Sequence, residues 1–306
     1  MMFKRPSTVS LVLAGVLGSG SFACGSGEDV APAAPDAGPP AWASIIESGW
    51  TLQPGQEKYF CASKTVSEDV YIGGFRPIAP LGTHHTLLTF GPPKGADNPG
   101  SDCGPGTESA QWIYASGVGT NEMKMPSGVG VKIPAGQQVH VNLHLFNTSD
   151  QVLSGNSGVE ILALDAGAVV NEAEIFLPGP LPFTIPNGAS QQITGNCTLQ
   201  NNQHFVALFP HMHQLGRHFK TEIVHADQSV TVLYDGDYSF SDQTYKMLDN
   251  MEVAYDDHIR TTCTYDNLTG APVPFGNSST QEMCVSMFIR YPRLNAAGAT
   301  GVLCIQ

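Results

Sequence analysis

Positive charge is scarce in this 306-residue chain, which carries 14 Lys and Arg against 27 Asp and Glu, for a formal net charge of −13. No basic stripe is present to neutralise phosphates, so nucleic acid is excluded as a partner class, and the acidity speaks mainly to solubility. The apolar run Val9–Gly18 is too short to cross a bilayer as a helix. No stretch keeps helical periodicity for long. No CxxC pair occurs, which argues against zinc held by thiolates.

What is present begins with an export signal over residues 1–23. Lys4 and Arg5 give a positive start, Val9–Gly18 gives the short apolar segment, and small residues lead to Cys24. Ser21-Phe22-Ala23-Cys24 resembles a bacterial lipobox, with Ser21 and Phe22 departing from the usual aliphatic and small residues. The expectation is lipidation at Cys24, against simple cleavage near Ala23. Residues 24–41 are rich in Ala, Pro and Gly and read as a semi-extended spacer. The sequence thus predicts an exported protein, lipid-anchored to a bacterial outer membrane or cell surface, with no other membrane contact. The folded part begins at Trp42.

Within it, 33 Gly and 22 Pro across the chain punctuate short runs such as Val129–Ile133 and His140–Phe146. That pattern predicts an all-β sandwich architecture. Setting Cys24 aside leaves Cys61, Cys103, Cys197, Cys263, Cys284 and Cys304, an even set that favours disulfides in an exported chain. A two-domain body leaves Cys61–Cys103 alone in the first half and three possible pairings among the other four.

Three segments carry chemistry. His211 and His213 stand two apart, so on a strand both imidazoles project from one face and can close on one ion. His84 and His85 are adjacent and would point to opposite faces unless a bulge or bend re-aims one of them. His144 shares a strand face with His140 and Asn142, and parity alone does not separate His140 from His144 as a partner for the pair. Met283, taken alone, reads as a core methionine.

Together these segments resemble the copper type II, ascorbate-dependent monooxygenases, the family of peptidylglycine α-hydroxylating and dopamine β-monooxygenases. His84-His85 matches the family's HH motif, His144 its HY-type strand motif, and His211-Met212-His213 with Leu215-Gly216 its HxHxLG motif. Cys263-Thr264-Tyr265 matches C-x-Y, and Glu282-Met283-Cys284 matches EMC. The order and rough spacing hold from about Cys61 to Cys304.

The resemblance implies two tandem antiparallel jelly-roll β-sandwich domains, residues 42–167 and 168–306, each with one copper, facing each other across a cleft open to solvent. The boundary falls near Asp165–Asn171, with Leu177–Pro182 as an alternative linker. The first copper would be held by His84, His85 and His144. The second, O2-binding copper would be held by His211, His213 and Met283, which form the catalytic set; a soft thioether there favours Cu(I). The implied disulfides are Cys61–Cys103, Cys197–Cys304 and Cys263–Cys284. His140, His204, His218, His225 and His258 match no ligand position. The expected activity is hydroxylation of an activated C–H bond of a small molecule, with O2 and ascorbate or another one-electron donor. Peptide-amidating members place an arginine and a tyrosine at the positions of Phe209 and Met287 to hold a carboxylate. Here an apolar pair predicts a pocket wall for an uncharged or aromatic substrate. Two other readings use the same fold: a copper-binding or copper-storage lipoprotein without turnover, and an adhesion or carbohydrate-binding sandwich. The last explains none of the ligand matches.

Overall fold

A computed structural model describes residues 41–106, 111–180 and 182–294, and the backbone of 302–304. The signal segment, Cys24 and nearly all of the spacer lie outside the described residues. Among those described, regular structure is β throughout, apart from one 3-10 turn at Ala166–Ala168.

Strands up to Glu172 build two sheets. One has the order Trp42–Leu52, Leu153–Leu164, Val70–Ile78, Val129–Ile133 and Asn171–Glu172. The other runs Asn98–Cys103, Glu57–Thr65, Gln138–Phe146, Thr83–Gly91 and Gln111–Ser116. The strand Gln138–Phe146 shows why they pack. Val139, Val141, Leu143 and Leu145 alternate along it and are fully buried in the core with Leu88, Phe90 and Ile72. His140, Asn142 and His144 occupy the other face, as a period of two requires. Each fully buried Leu or Phe contributes roughly 1.5–3 kcal/mol over an exposed one.

The second half has a five-stranded sheet in the order Lys246–Val253, Gln203–Met212, Cys284–Tyr291, Glu174–Pro178 and Val302–Cys304. Behind it lies a four-stranded sheet of Gly188–Thr198, His258–Asn267, Gly216–Val224 and Val230–Asp237. Phe176, Phe205, Leu208, Ile223, Ile259 and Phe288 fill the space between. Two buried polar groups of this half are internally satisfied, as the interior demands. The hydroxyls of Thr221 and Thr261 both meet Ser286, and Arg290 pairs with Glu174 at 2.8 Å.

Cys263–Cys284 ties the two sheets of this half together, and Cys61–Cys103 joins neighbouring strands of the first half. Cys197 is disulfide-bonded as well; its expected partner Cys304 lies outside the residues whose side chains are described. The segment considered as an alternative linker is instead part of the second half's packing. Glu174–Pro178 is a buried strand, and a Cβ at Gly179 would stand 2.2 Å from the carbonyl oxygen of Cys284. Phe209, Met287 and Ile289 of the second half pack into the same apolar cluster as Leu88 and Leu143 of the first. The residues from Pro39 onward accordingly form one contact unit.

Candidate metal centre

The first histidine group is made by a bulge. Thr83 pairs with Leu145 and His85 with His144, so His84 is skipped in the register. The extra residue turns two adjacent side chains to one side. The rings of His84 and His85 meet edge to face at 4.3 Å, with their Nδ1 atoms 3.1 Å apart. His144 lies 5.1 Å from His84 and 5.7 Å from His85, ring centre to ring centre. One ring nitrogen from each of the three falls within 4.8 Å of the others. His140 sits on the same face opposite Thr89, four cross-strand pairs further along, or about 13 Å at the rise of a strand. Register thus decides between the two rivals that parity left open.

The second group is built across two strands. His211 pairs with Val285 and Met212 with Cys284, so continuing the register sets His213 opposite Met283. Directly opposed residues share a face. His211, His213 and Met283 line one cavity of about 110 Å³, together with His85 and His144. Met212 points the other way, into the core, where its backbone N–H donates to the Tyr238 hydroxyl and its carbonyl accepts from it. The two segments bearing His213 and Met283 are pinned to each other by a buried carboxylate. Glu282 accepts backbone N–H bonds from His213 at 2.9 Å, Leu215 at 2.6 Å and Met283 at 3.3 Å. Burial pushes its pKa up to about 7 in spite of these donors.

Hydrogen bonds to oxygen acceptors fix the tautomers of three rings. His213 donates Nδ1–H to the Gln281 carbonyl at 3.0 Å, and His211 donates Nδ1–H to Gln243 Oε1 at 2.9 Å. Each therefore has Nε2 as its free lone pair. His144 has its Nε2 on Glu57 Oε1 at 2.6 Å, which leaves Nδ1. Burial, reinforced by neighbouring imidazoles, lowers the pKa of His84 to about 4 and that of His213 to about 3. Burial lowers His85, His144 and His211 as well. All five are neutral at pH 7, the form in which imidazole binds a metal.

The two groups adjoin instead of facing each other across open solvent. The rings of His85 and His211 are 6.1 Å apart. The Gln243 amide lies between them, its Nε2 donating to His85 Nε2 at 2.8 Å. Phe240 rests on His84 at 4.6 Å, His85 at 5.3 Å and His213 at 6.3 Å. The segment carrying Phe240 and Gln243 is strapped to the first half by Thr120 Oγ1 on the Gln243 carbonyl at 2.7 Å. A second bond runs from the Ala115 N–H to the Tyr245 hydroxyl at 3.2 Å. Shared apolar burial explains the closure. Phe209 packs on Tyr245 at 4.9 Å and stands directly opposite Met287, and both Phe209 and Met287 line the cavity. Among the described residues lining it there is no Lys, Arg, Asp or Glu.

Glu57, Phe240 and Gln243 were not legible from motifs, since none stands in one. The signal that would find Glu57 is parity: with Tyr59 and Cys61 it alternates on the strand paired with His144. The other histidines lie outside the group. His204 stacks on Tyr291, His218 pairs with Asp235, and His225 bonds Asp257 and Thr231.

Residues 171–300 match the family model described as copper type II ascorbate-dependent monooxygenase, C-terminal domain. The chain is 28% identical over 208 residues to DBH-like monooxygenase protein 1 of Homo sapiens, covering 60% of this chain and 33% of that protein. It is 26% identical over 276 residues to peptidyl-glycine alpha-amidating monooxygenase A of Xenopus laevis, covering 82% of this chain and 28% of that protein. The chain thus spans about a third of the length of these relatives.

Proposed function

We propose that this chain, which belongs to the copper type II, ascorbate-dependent monooxygenase family, holds two copper ions and hydroxylates an activated C–H bond of a small uncharged or aromatic substrate. O2 is the oxidant and ascorbate or another one-electron donor the reductant. The observation that carries the reading is the donor set: four neutral imidazoles and one thioether around a single cavity, with His84 grouped beside His85 and His144, and three of the imidazoles held with one nitrogen bonded and the other free. Neutral nitrogen donors and a soft sulfur fit copper in both oxidation states. His84, His85 and His144 would hold the first ion, and His211, His213 and Met283 the second. Bound copper supplies electron storage and O2 activation there.

The chain's own residues do the rest. Glu282 and the Cys263–Cys284 bridge brace the ligands His213 and Met283. Phe209 and Met287 give the substrate an apolar wall, and Phe240 excludes water from the imidazoles. A cavity without charged lining has nothing to compensate a carboxylate or an ammonium group. In this reading each half is a jelly-roll sandwich, 42–167 and 168–306, and the protein is exported on a lipid anchor at Cys24. Met283→Ile is the test. It should abolish hydroxylation and lower copper from two to one per chain; normal turnover by the variant refutes the assignment.

The tight contact between the two groups also suits a copper-storage protein. Oxygen uptake with ascorbate and a neutral benzylic probe, above that of free copper, separates the two readings.

A further inference from the structure

His144, His211 and His213 are each held by a hydrogen bond to the nitrogen that faces away from the proposed metal, but the holding groups differ in charge. The partner of His211 is an amide oxygen and that of His213 a backbone carbonyl, both neutral. The partner of His144 is the Glu57 carboxylate, at 2.6 Å. The contact is built into the strands. Glu57 and Tyr59 stand two apart on one face of Glu57–Thr65, and the register sets Tyr59 opposite His144. The Tyr59 ring stacks on the His144 ring at 4.6 Å with an interplanar angle of 11°. One neighbour therefore fixes the ring's plane and the other fixes which nitrogen carries the proton. His144 is 4% exposed, so it has little water to turn toward instead. Ser279, on the loop that leads to Met283, reaches the same carboxylate at 3.5 Å.

We propose that Glu57 is a positioning residue that would present the Nδ1 lone pair of His144 to the first copper and shift that site's preference toward Cu(II). The inference rests on the two-copper reading above. A carboxylate behind a ligating imidazole raises the ring's basicity and favours the more highly charged metal. A thioether at the other centre favours Cu(I). Both effects point one way. Because the Glu57 side chain is 42% exposed, solvent screens its charge, and the effect belongs at the low end of what such outer partners contribute.

The test uses the full chain loaded with copper, as wild type, Glu57→Gln and Glu57→Ala. Three quantities are read: Cu(II) affinity by chelator competition, the Cu(II) electron paramagnetic resonance spectrum, and the potentials of the two centres. Both variants should still bind two ions. One of the two should lose about tenfold in Cu(II) affinity, the low end of the ~10–100-fold range for outer partners, with Cu(I) affinity unchanged. That corresponds to a rise of ~59 mV in one potential, with one of two Cu(II) signals altered. A merely structural role would move neither potential nor one spectrum selectively. Wild-type potentials and spectra in Glu57→Ala overturn the proposal. So does complete loss of one copper in Glu57→Gln, since it would make the carboxylate a direct ligand. A wild-type chain that takes up no copper would refute the two-copper reading itself, a different result.

Discussion

Acidification should destabilise the metal-free protein between pH 6 and 5, where few carboxylates titrate. His84 and His213 have folded pKa values of about 4 and about 3 against an ordinary 6.5, with burial the main cause. A histidine whose folded pKa is lowered gives stability that is present above its unfolded pKa and is lost as pH falls toward the folded one. In this window the unfolded imidazoles are about nine-tenths protonated and the folded ones are not. At ~1.36 kcal/mol per proton per pH unit, the two together lose about 2.4 kcal/mol from pH 6 to 5. Glu282 opposes them. Its folded pKa of about 7 lies above the ordinary 4.5, so its contribution grows as pH falls, by about 1 kcal/mol over the same interval. His85, His144 and His211 are also lowered and add to the loss, which makes about 1 kcal/mol a floor. Urea unfolding of the metal-free chain at pH 7, 6, 5.5 and 5, followed by tryptophan fluorescence, measures it. The same series on a His84→Ala/His213→Ala chain should have a clearly shallower slope. Stability that is flat or rising toward pH 5 in wild type, or equal slopes in the two proteins, refutes the electrostatic reasoning.

Arg290→Met strands the Glu174 carboxylate in the core and should cost about 3–5 kcal/mol in urea unfolding, with most of that recovered in Arg290→Met/Glu174→Leu. Cys263→Ala/Cys284→Ala opens a short covalent loop and should cost about 2–4 kcal/mol, and under the proposed two-copper reading chelator competition should find the second copper weakened more than the first. Phe240→Ala exposes imidazoles of both groups to water; nuclear magnetic resonance titration should find the His84 pKa moved up from about 4 toward its ordinary value.

How much of the site was readable depended on how local its geometry is. Two histidines spaced by two on a strand need only the pleat, so His211 and His213 could be paired on sight. The adjacent pair could be used only by a bulge, and the register irregularity at His84 is that bulge. Strand parity could not choose His144 over His140; the family resemblance did, and the geometric reason lies in the pairing of two strands some fifty residues apart, which no single-strand pattern holds. The adjoining of the two groups lay further out of reach. It depends on Phe240, Gln243 and Tyr245, whose contacts are made with the other half of the chain and leave no periodic trace. The all-β architecture, by contrast, was legible because glycine, proline and alternation act over a few residues at a time.

The bulge at His84 has a mechanical consequence. Rings on consecutive residues share one short piece of backbone, so their separation of 4.3 Å has little freedom to change without refolding that strand. The proposed third donor for His211 and His213, which are 5.1 Å apart, is a sulfur at the start of a neighbouring strand, and sliding or twisting those strands alters the spacing. One set of donors is therefore rigid and the other compliant. A guest molecule entering the cavity would be accommodated by movement on the methionine side, while the paired histidines keep their shape.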